Sequence, residues 1–525
     1  MTRFRKILWS ALLLGAAMGM AGCATTSLPE GRWRLVEPWT GYLPASGPTL
    51  PPPTGTPLPT STLPAPYGLL PRTPLAPVSQ ATPTPDELRP TPVLRTENVW
   101  HLVQPGDTLN SLAWKYGVSS SRIVQANGLI NPNILTAWSY LLIPAQLVQP
   151  SGPSFKILPD SELVYGPASA LLDLPGTVSS GDGYLALYHE EVEGEQRSGA
   201  EIVQLVAQRY SVSPRLLLAA LEHQSGWLTR RSPSKDRRTF PMGYVATGKD
   251  GLFSQLSWAA DQLNSGFYRW RAGWSGPILL ADGQVALPGL GINAGTAGVQ
   301  TLFGALYSYE AWVGEVSEGG FFQTYLRLFG DPFELAIEPA ISPDLVQPPL
   351  QLPIEAGTYW SFTGGPHGAW GSGAAWAALD FAPPGNALGC VSSEAWVVAA
   401  ADGLILRSEN GEVVQDLDGD GFEQTGWVLL YMHMEQRDRV SAGERLRAGD
   451  RVGHPSCEGG LSNGTHLHFA RKYNGEWIAA DGSLPFRLDG WLSAGSGPEY
   501  DGTMTRDDER LVACSCRNDE NQIYR

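Results

Sequence analysis

Five of the chain's eight histidines lie between positions 367 and 468: His367, His433, His454, His466 and His468. Imidazole is the side chain best suited to bind a transition metal or to move a proton near neutral pH. The densest pattern is Thr465-His466-Leu467-His468-Phe469. Side chains alternate faces along a strand. His466 and His468 therefore share one face, about 7 Å apart, and Leu467 and Phe469 share the other. Such a pair suits a metal ligand beside a proton acceptor, although two solvated histidines on an edge strand would give the same pattern. Asp380 is embedded in GGPHGAWGSGAAWAALDFAPP, where a carboxylate among apolar residues is costly unless paired or bound to a cation. His367 opens that segment, thirteen positions earlier, and Tyr431-Met432-His433 ends another apolar run.

The elements that must position these residues read as β structure. Trp396–Ala399, Leu404–Arg407, Trp427–His433 and His466–Phe469 are short apolar or alternating runs. Gly and Asp turns separate them, among them Ala401-Asp402-Gly403 and Asn410-Gly411.

His367, Asp380, Tyr431-x-His433, Gly449-Asp450-x-Val452-Gly453 and Gly464-Thr465-His466-Leu467-His468-Phe469 together resemble the lysostaphin/β-lytic metallopeptidase family of zinc endopeptidases, over about 355–490. The thirteen-position gap between His367 and Asp380 matches the β-lytic branch, and Ala470 departs from the acidic residue of many relatives. The resemblance implies Zn2+ held by His367, Asp380 and His468, with an open position for water. It also implies His466 as general base and His433 as the group that stabilises the oxyanion. His454 takes no family role and is read as a turn residue. The expected peptidase domain, antiparallel and β-rich, spans 350–495, with a C-terminal tail at 496–525. Cys390 and Cys457 flank this site and are expected to pair, whereas Cys514 and Cys516 are too close in sequence for an easy bridge. Asp416, Asp418 and Asp420 resemble the start of a Ca2+ loop. Trp427 stands where that loop needs a bidentate Glu, so an acidic hairpin turn is the other reading.

A chain of 525 residues allows two to four domains, and further modules precede the peptidase. Residues 155–345 carry helical spacing. Within them Val206–Trp227 resembles the first helical hairpin of soluble lytic transglycosylases, which are lysozyme-like. Gln224 stands where those enzymes carry the acid, and an amide cannot donate a proton as an acid does. Glu222, two positions away, points to another helix face. The domain is therefore expected to be lysozyme-like and non-catalytic. Residues 99–146 read as a βααβ unit that resembles a LysM domain, through Val103–Leu109, Tyr116-Gly117-Val118, Ala126–Leu129, Asn131-Pro132-Asn133 and Ile143-Pro144. That resemblance implies binding of N-acetylglucosamine polymers such as peptidoglycan at Gly106, Asp107, Thr108, Asn131, Asn133 and Ile134.

Residues 24–98 form a Pro/Thr-rich linker, expected to be disordered; its proline-dense part, some 55 residues, would reach on the order of 150 Å. Residues 1–23 read as a basic start, an apolar run and a small-residue site ending at Cys23, which resembles a bacterial lipobox. Cys23 is then the lipidated residue of an exported, membrane-anchored lipoprotein. The net charge of −16 would repel phosphate backbones and argues against nucleic acid. The chain is thus expected to be a multidomain α+β zinc metalloendopeptidase that cuts peptidoglycan peptides. A non-catalytic peptidoglycan-binding adaptor is the competing reading.

Overall fold

The computed structural model describes residues 94–104, 107–273, 276–385 and 387–525. The signal segment with Cys23, nearly all of the Pro/Thr-rich segment, and Gly106 lie outside the described residues. No helix of the described residues is long and apolar enough to cross a membrane.

The first module is β1 (Val99–Leu102), α1 (Leu109–Tyr116), α2 (Ser120–Asn127) and β2 (Tyr140–Ile143), with β1 and β2 paired antiparallel. Ser119 caps α2 through the backbone N–H of Arg122, and Gly128 ends it in the left-handed conformation that a residue without Cβ adopts easily. Leu109, Leu112, Ile123, Leu141 and Ile143 close a small core of its own.

The middle module is mostly helical. Its long elements are α3 (Gly199–Tyr210), α4 (Pro214–Ser225), α5 (Leu252–Arg271), α6 (Ala294–Gly304) and α7 (Phe321–Phe329). A capping box of Ser198 and Glu201 starts α3, and Ser213 with Pro214 starts α4. α4 is buried nearly all round, which explains its run of leucines.

The last module is built on a nine-stranded sheet. Its strands are β3 (Tyr359–His367), β4 (Ala378–Ala382), β5 (Gly403–Glu409), β6 (Glu412–Asp416), β7 (Trp427–Met432), β8 (Arg445–Leu446), β9 (Leu467–Tyr473), β10 (Glu476–Trp477) and β11 (Gln522–Tyr524). The order is β8-β5-β6-β7-β9-β4-β3-β11, with β10 beside β9. Residues 496–525 are thus not a tail. Gln522–Tyr524 completes the sheet edge against β3, and Gly502–Arg506 and Glu509–Val512 belong to a four-stranded sheet with 487–488 and 491–495. Met504, Leu511 and Ile523 are buried, and apolar residues spaced this sparsely among Gly and Asp give a weak strand signal. Cys514 and Cys516, expected to be too close, are bridged as well. The chain turns so that their Cα atoms are 5.0 Å apart, inside the usual range.

Strand register decides what each sheet face meets. Leu379, Phe381, Val413, Leu429, Tyr431, Leu467 and Phe469 bury in the peptidase module's own core. The opposite face carries Ala378, Val414, Val428, Leu430, Met432 and Ala470, and these join the core of the middle module. A buried ion pair crosses the same boundary and continues into a charge cluster of the peptidase module. Arg209 on α3 donates to Glu412 at 2.5 Å, and Arg407 bridges Glu412 and Glu423 at 2.8 and 2.9 Å. Lys472 donates to Glu423 at 2.7 Å.

Candidate metal centre

Asp380 and His468 lie on that same face. They are direct cross-strand partners of β4 and β9, and His468 is also opposite Met432 of β7. His367 ends β3 after two register irregularities, opposite Ala378. Gly364 is required beside it, because a Cβ there would sit 2.6 Å from Asp380 Oδ2. Strand alternation would send His433 to the face of Tyr431, away from Asp380. Instead β7 stops at Met432, and His433 turns with φ +66°, a conformation rare outside Gly. Strained backbone of this kind clusters at functional sites.

His367 Nε2 is 2.9 Å from His468 Nδ1 and 3.2 Å from Asp380 Oδ1. His468 Nδ1 is 3.3 Å from the same oxygen, and His466 Nε2 is 3.6 Å from it. Backbone carbonyls fix which nitrogen faces inward. His367 Nδ1 donates to Gly365 O at 2.8 Å, and His468 Nε2 donates to Ala369 O at 3.0 Å. Each ring then presents a lone pair to the other, with the carboxylate oxygen between them. Asp380 Oδ1 is buried and accepts no hydrogen bond of good geometry. Two imidazole lone pairs and an orphaned carboxylate oxygen converging on one point fit a divalent cation, and a two-His, one-carboxylate set suits zinc.

His466 Nδ1 donates to Gly464 O at 2.7 Å, and His433 Nδ1 donates to Gly459 O at 2.8 Å and faces Glu458 O at 3.1 Å. The His433 and His466 ring centroids are 4.5 Å apart. Burial would by itself raise the Asp380 carboxyl, but, when protonated, His367 and His466 override it and hold it well below the usual range. Burial, reinforced by His466 and His468, pushes His433 down to about 3. A neutral His433 whose one N–H is given to a carbonyl has no proton left to donate. It can therefore serve an oxyanion only when it holds a second proton.

Cys390 and Cys457 are bridged, as expected. The bridge ties the loop whose Gly389 and Val391 bind Thr465 to the loop that supplies the His433 acceptors. His454 stands apart, with Nδ1 donating to Ala395 O at 2.9 Å and its ring against Trp396. Asp416, Asp418 and Asp420 do gather. Their carboxylates accept turn N–H groups: Asp416 from Asp418, Gly419 and Gly421, Asp418 from Asp420, and Asp420 from Phe422. These bonds are those of an acidic turn. In the first module Asp107 accepts from Gln104 N and pairs with His101, while Asn131, Asn133 and Ile134 are exposed. In the middle module Glu222 accepts from Leu228 N, Thr229 N and Thr229 Oγ1. Gln224 Oε1 accepts from the Tyr307 hydroxyl at 3.0 Å.

Sequence reasoning missed Tyr500, whose ring stacks on His367 at 4.2 Å, and Glu499, which accepts from Gly368 N at 3.2 Å. Both follow from the C-terminal strands and left no motif.

Three family models match separate stretches: "LysM domain" at 101–144, "LasA, N-terminal domain" at 156–342 and "Peptidase family M23" at 385–480. The middle module thus matches the LasA N-terminal domain over nearly all of the stretch read from Val206–Trp227 as lysozyme-like. Protease LasA of Pseudomonas aeruginosa is 28% identical over 351 residues, covering 63% of this chain and 78% of that protein. The β-lytic metalloendopeptidase of Lysobacter enzymogenes is 27% identical over 159 residues, 30% of this chain and 85% of that protein. Among solved structures, the M23 metalloprotease pseudoalterin is 26% identical with a TM-score of 0.28, covering 35% of this chain and 99% of that one. The chain carries a LysM domain, a LasA N-terminal domain and an M23 peptidase domain, is homologous to LasA protease and the β-lytic metalloendopeptidases, and is a metalloendopeptidase.

Proposed function

We propose that this chain hydrolyses peptide bonds of peptidoglycan, held on its substrate by the LysM module. The observation that carries the reading is the convergence of His367 Nε2, Asp380 Oδ1 and His468 Nδ1 within 4.8 Å of one another. These three atoms would hold Zn2+, which supplies an electrophile that acidifies water and polarises the scissile carbonyl. Gly365 O and Ala369 O keep the two ligand imidazoles in the tautomers that the role needs. His466, held through Nδ1 by Gly464 O, keeps Nε2 free to take the proton of the attacking water and return it to the leaving amine. His433 is the second imidazole of the site and is proposed to stabilise the oxyanion; neutral in the resting site, it must take up its second proton during turnover.

The LysM surface around Asp107, Thr108, Asn131, Asn133 and Ile134, with Gly106, is the proposed glycan contact. The middle module is proposed to be non-catalytic, since Glu222 is spent on its own turn and Gln224 is an amide. Lipidation of Cys23 belongs to the proposal and anchors the chain at the outer face of a membrane. Cys23→Ser should then move the protein to the soluble fraction. Release of new amines from purified peptidoglycan, abolished by a chelator and restored by zinc, tests the activity. An adaptor of the same domain content would bind the wall and release none.

A further inference from the structure

The LysM module turns one face of its strand pair towards its helices and leaves the other in solvent. His101, Val103, Leu141 and Ile143 are buried, whereas Trp100 and Tyr140 are 66% and 69% exposed. The register pairs Trp100 with Leu142 and Leu102 with Tyr140, so these four side chains share the outer face. Trp100 and Tyr140 are diagonal neighbours on it, about 7–8 Å apart. Neither strand carries an Asp, Glu, Lys or Arg.

Trp138 adds a third ring at the entry to β2. Its backbone N–H donates to Val103 O at 2.7 Å, and Val103 N donates to Ser139 O at 2.9 Å. That pairing holds Trp138 at φ +68°, a conformation that suits glycine and is an outlier for a bulky residue. Backbone strain of this kind costs about 1–3 kcal/mol. The indole recovers little of it by burial, since Trp138 is 64% exposed. The ring therefore serves something outside the module's own core.

Chemistry and position identify the occupant. The electron-rich face of an aromatic ring attracts the polarised C–H bonds of a sugar ring, whose hydroxyls stay in water. Rings with no charge between them suit a neutral, extended ligand. Residues 130–134 and 136–140 are all exposed, so the proposed glycan contact at Asn131, Asn133 and Ile134 runs along the surface into Trp138 and Tyr140.

We infer that Trp138, Tyr140 and Trp100 form a second glycan-binding face of the LysM module, a stacking platform for an N-acetylglucosamine polymer that continues past the loop contact. The loops hold one stretch of the sugar chain, and the three rings hold the next. The inference rests on the glycan reading of the LysM module given in the preceding section.

The test is titration calorimetry of the full chain with chitohexaose. Trp138→Gly removes the ring and the strain together. It should bind about tenfold or more weakly, the usual order for losing an aromatic anchor. Its melting temperature should not fall, because glycine suits the conformation. Trp138→Phe, which keeps a ring, should retain most of the affinity. The Trp100→Ala/Tyr140→Ala pair, on the strands and clear of the loops, should show a loss of the same order as Trp138→Gly. Parental affinity in both Trp138→Gly and the strand pair would overturn the inference. A loss in Trp138→Gly alone would assign that residue to the loop contact and also overturn the platform. Parental affinity with a dimer lost in the strand pair, read by sedimentation, would make the face an interface between copies of this chain and overturn it as well. A parent chain that bound no chitohexaose would instead bring down the glycan reading of the module itself.

Discussion

Asp380 and His468 face each other directly across neighbouring strands, with Asp380 Oδ1 and His468 Nδ1 3.3 Å apart. Backbone pairing, not loop geometry, fixes that separation. Two of the three proposed ligands thus come from paired interior strands of the sheet, and the third, His367, ends the strand on the other side of β4. This is the arrangement expected of a site that must hold its geometry through turnover.

The two histidines of the His466-Leu467-His468 motif should separate cleanly. His468→Ala removes a proposed ligand atom and should lose zinc and activity together. His466→Ala should keep stoichiometric zinc and lose about 10²–10⁴-fold in kcat. His433→Ala should also keep zinc and lose rate. Elemental analysis beside peptide hydrolysis checks all three. A normal rate in His466→Ala would remove it from the role of base.

Acid should destabilise the buried charge cluster on the sheet face that the middle module covers. Burial alone would raise the Glu423 carboxyl, but Arg407 and Lys472 overcome it and bring it to about 2. In the unfolded chain Glu titrates at about 4.3. The folded state therefore binds fewer protons at acid pH. Its stabilisation is present in full above the unfolded value and is lost as pH falls towards the folded one. Melting temperature should drop between pH 5 and pH 2. Glu423→Gln should flatten that drop while melting lower at pH 7. An unchanged slope would show that this cluster does not govern acid stability.

Arg209 tests whether the two modules fold as one unit. Its guanidinium is buried against Glu412 and Glu193. Removing one partner of a buried ion pair costs about 3–5 kcal/mol. Arg209→Ala should therefore lower the unfolding free energy by an amount of this order. Urea unfolding followed separately by signals of the two modules should still give a single transition.

Reduction of Cys390–Cys457 should affect rate more than metal. The bridge spans a sequence separation of 67 and joins the loops that hold Thr465 and orient His433. Loss of such a link typically costs 2–5 kcal/mol. The Cys390→Ala/Cys457→Ala pair should melt lower, keep zinc and hydrolyse a soluble peptide more slowly. An unaltered kcat would make the bridge purely structural.

Much of the candidate metal centre was legible in the sequence because its residues are marked by chemistry. A buried Asp in an apolar run and a His-x-His pair stand out whatever surrounds them. The βααβ unit was legible for the same kind of reason, since the turn at Gly128 and the apolar spacing act locally. What could not be read depends on contacts distant in the chain. The strand 522–524 earns its place only by pairing with β3. The bend at His433 breaks the alternation that predicted a continuing strand. The middle module's seat on Val414, Leu430 and Ala470 required knowing which sheet face lacked a cover. The contact of Asp261 on α5 with the backbone N–H of Gly373, 112 residues away, carries no motif at all.

The most direct test of the central claim is the release of new amines from purified peptidoglycan as zinc is titrated back into chelator-treated protein. Amine release should rise in proportion to bound zinc, saturate at one zinc per chain, and be absent in His468→Ala. A protein that takes up one zinc per chain and releases no amines would contradict the account.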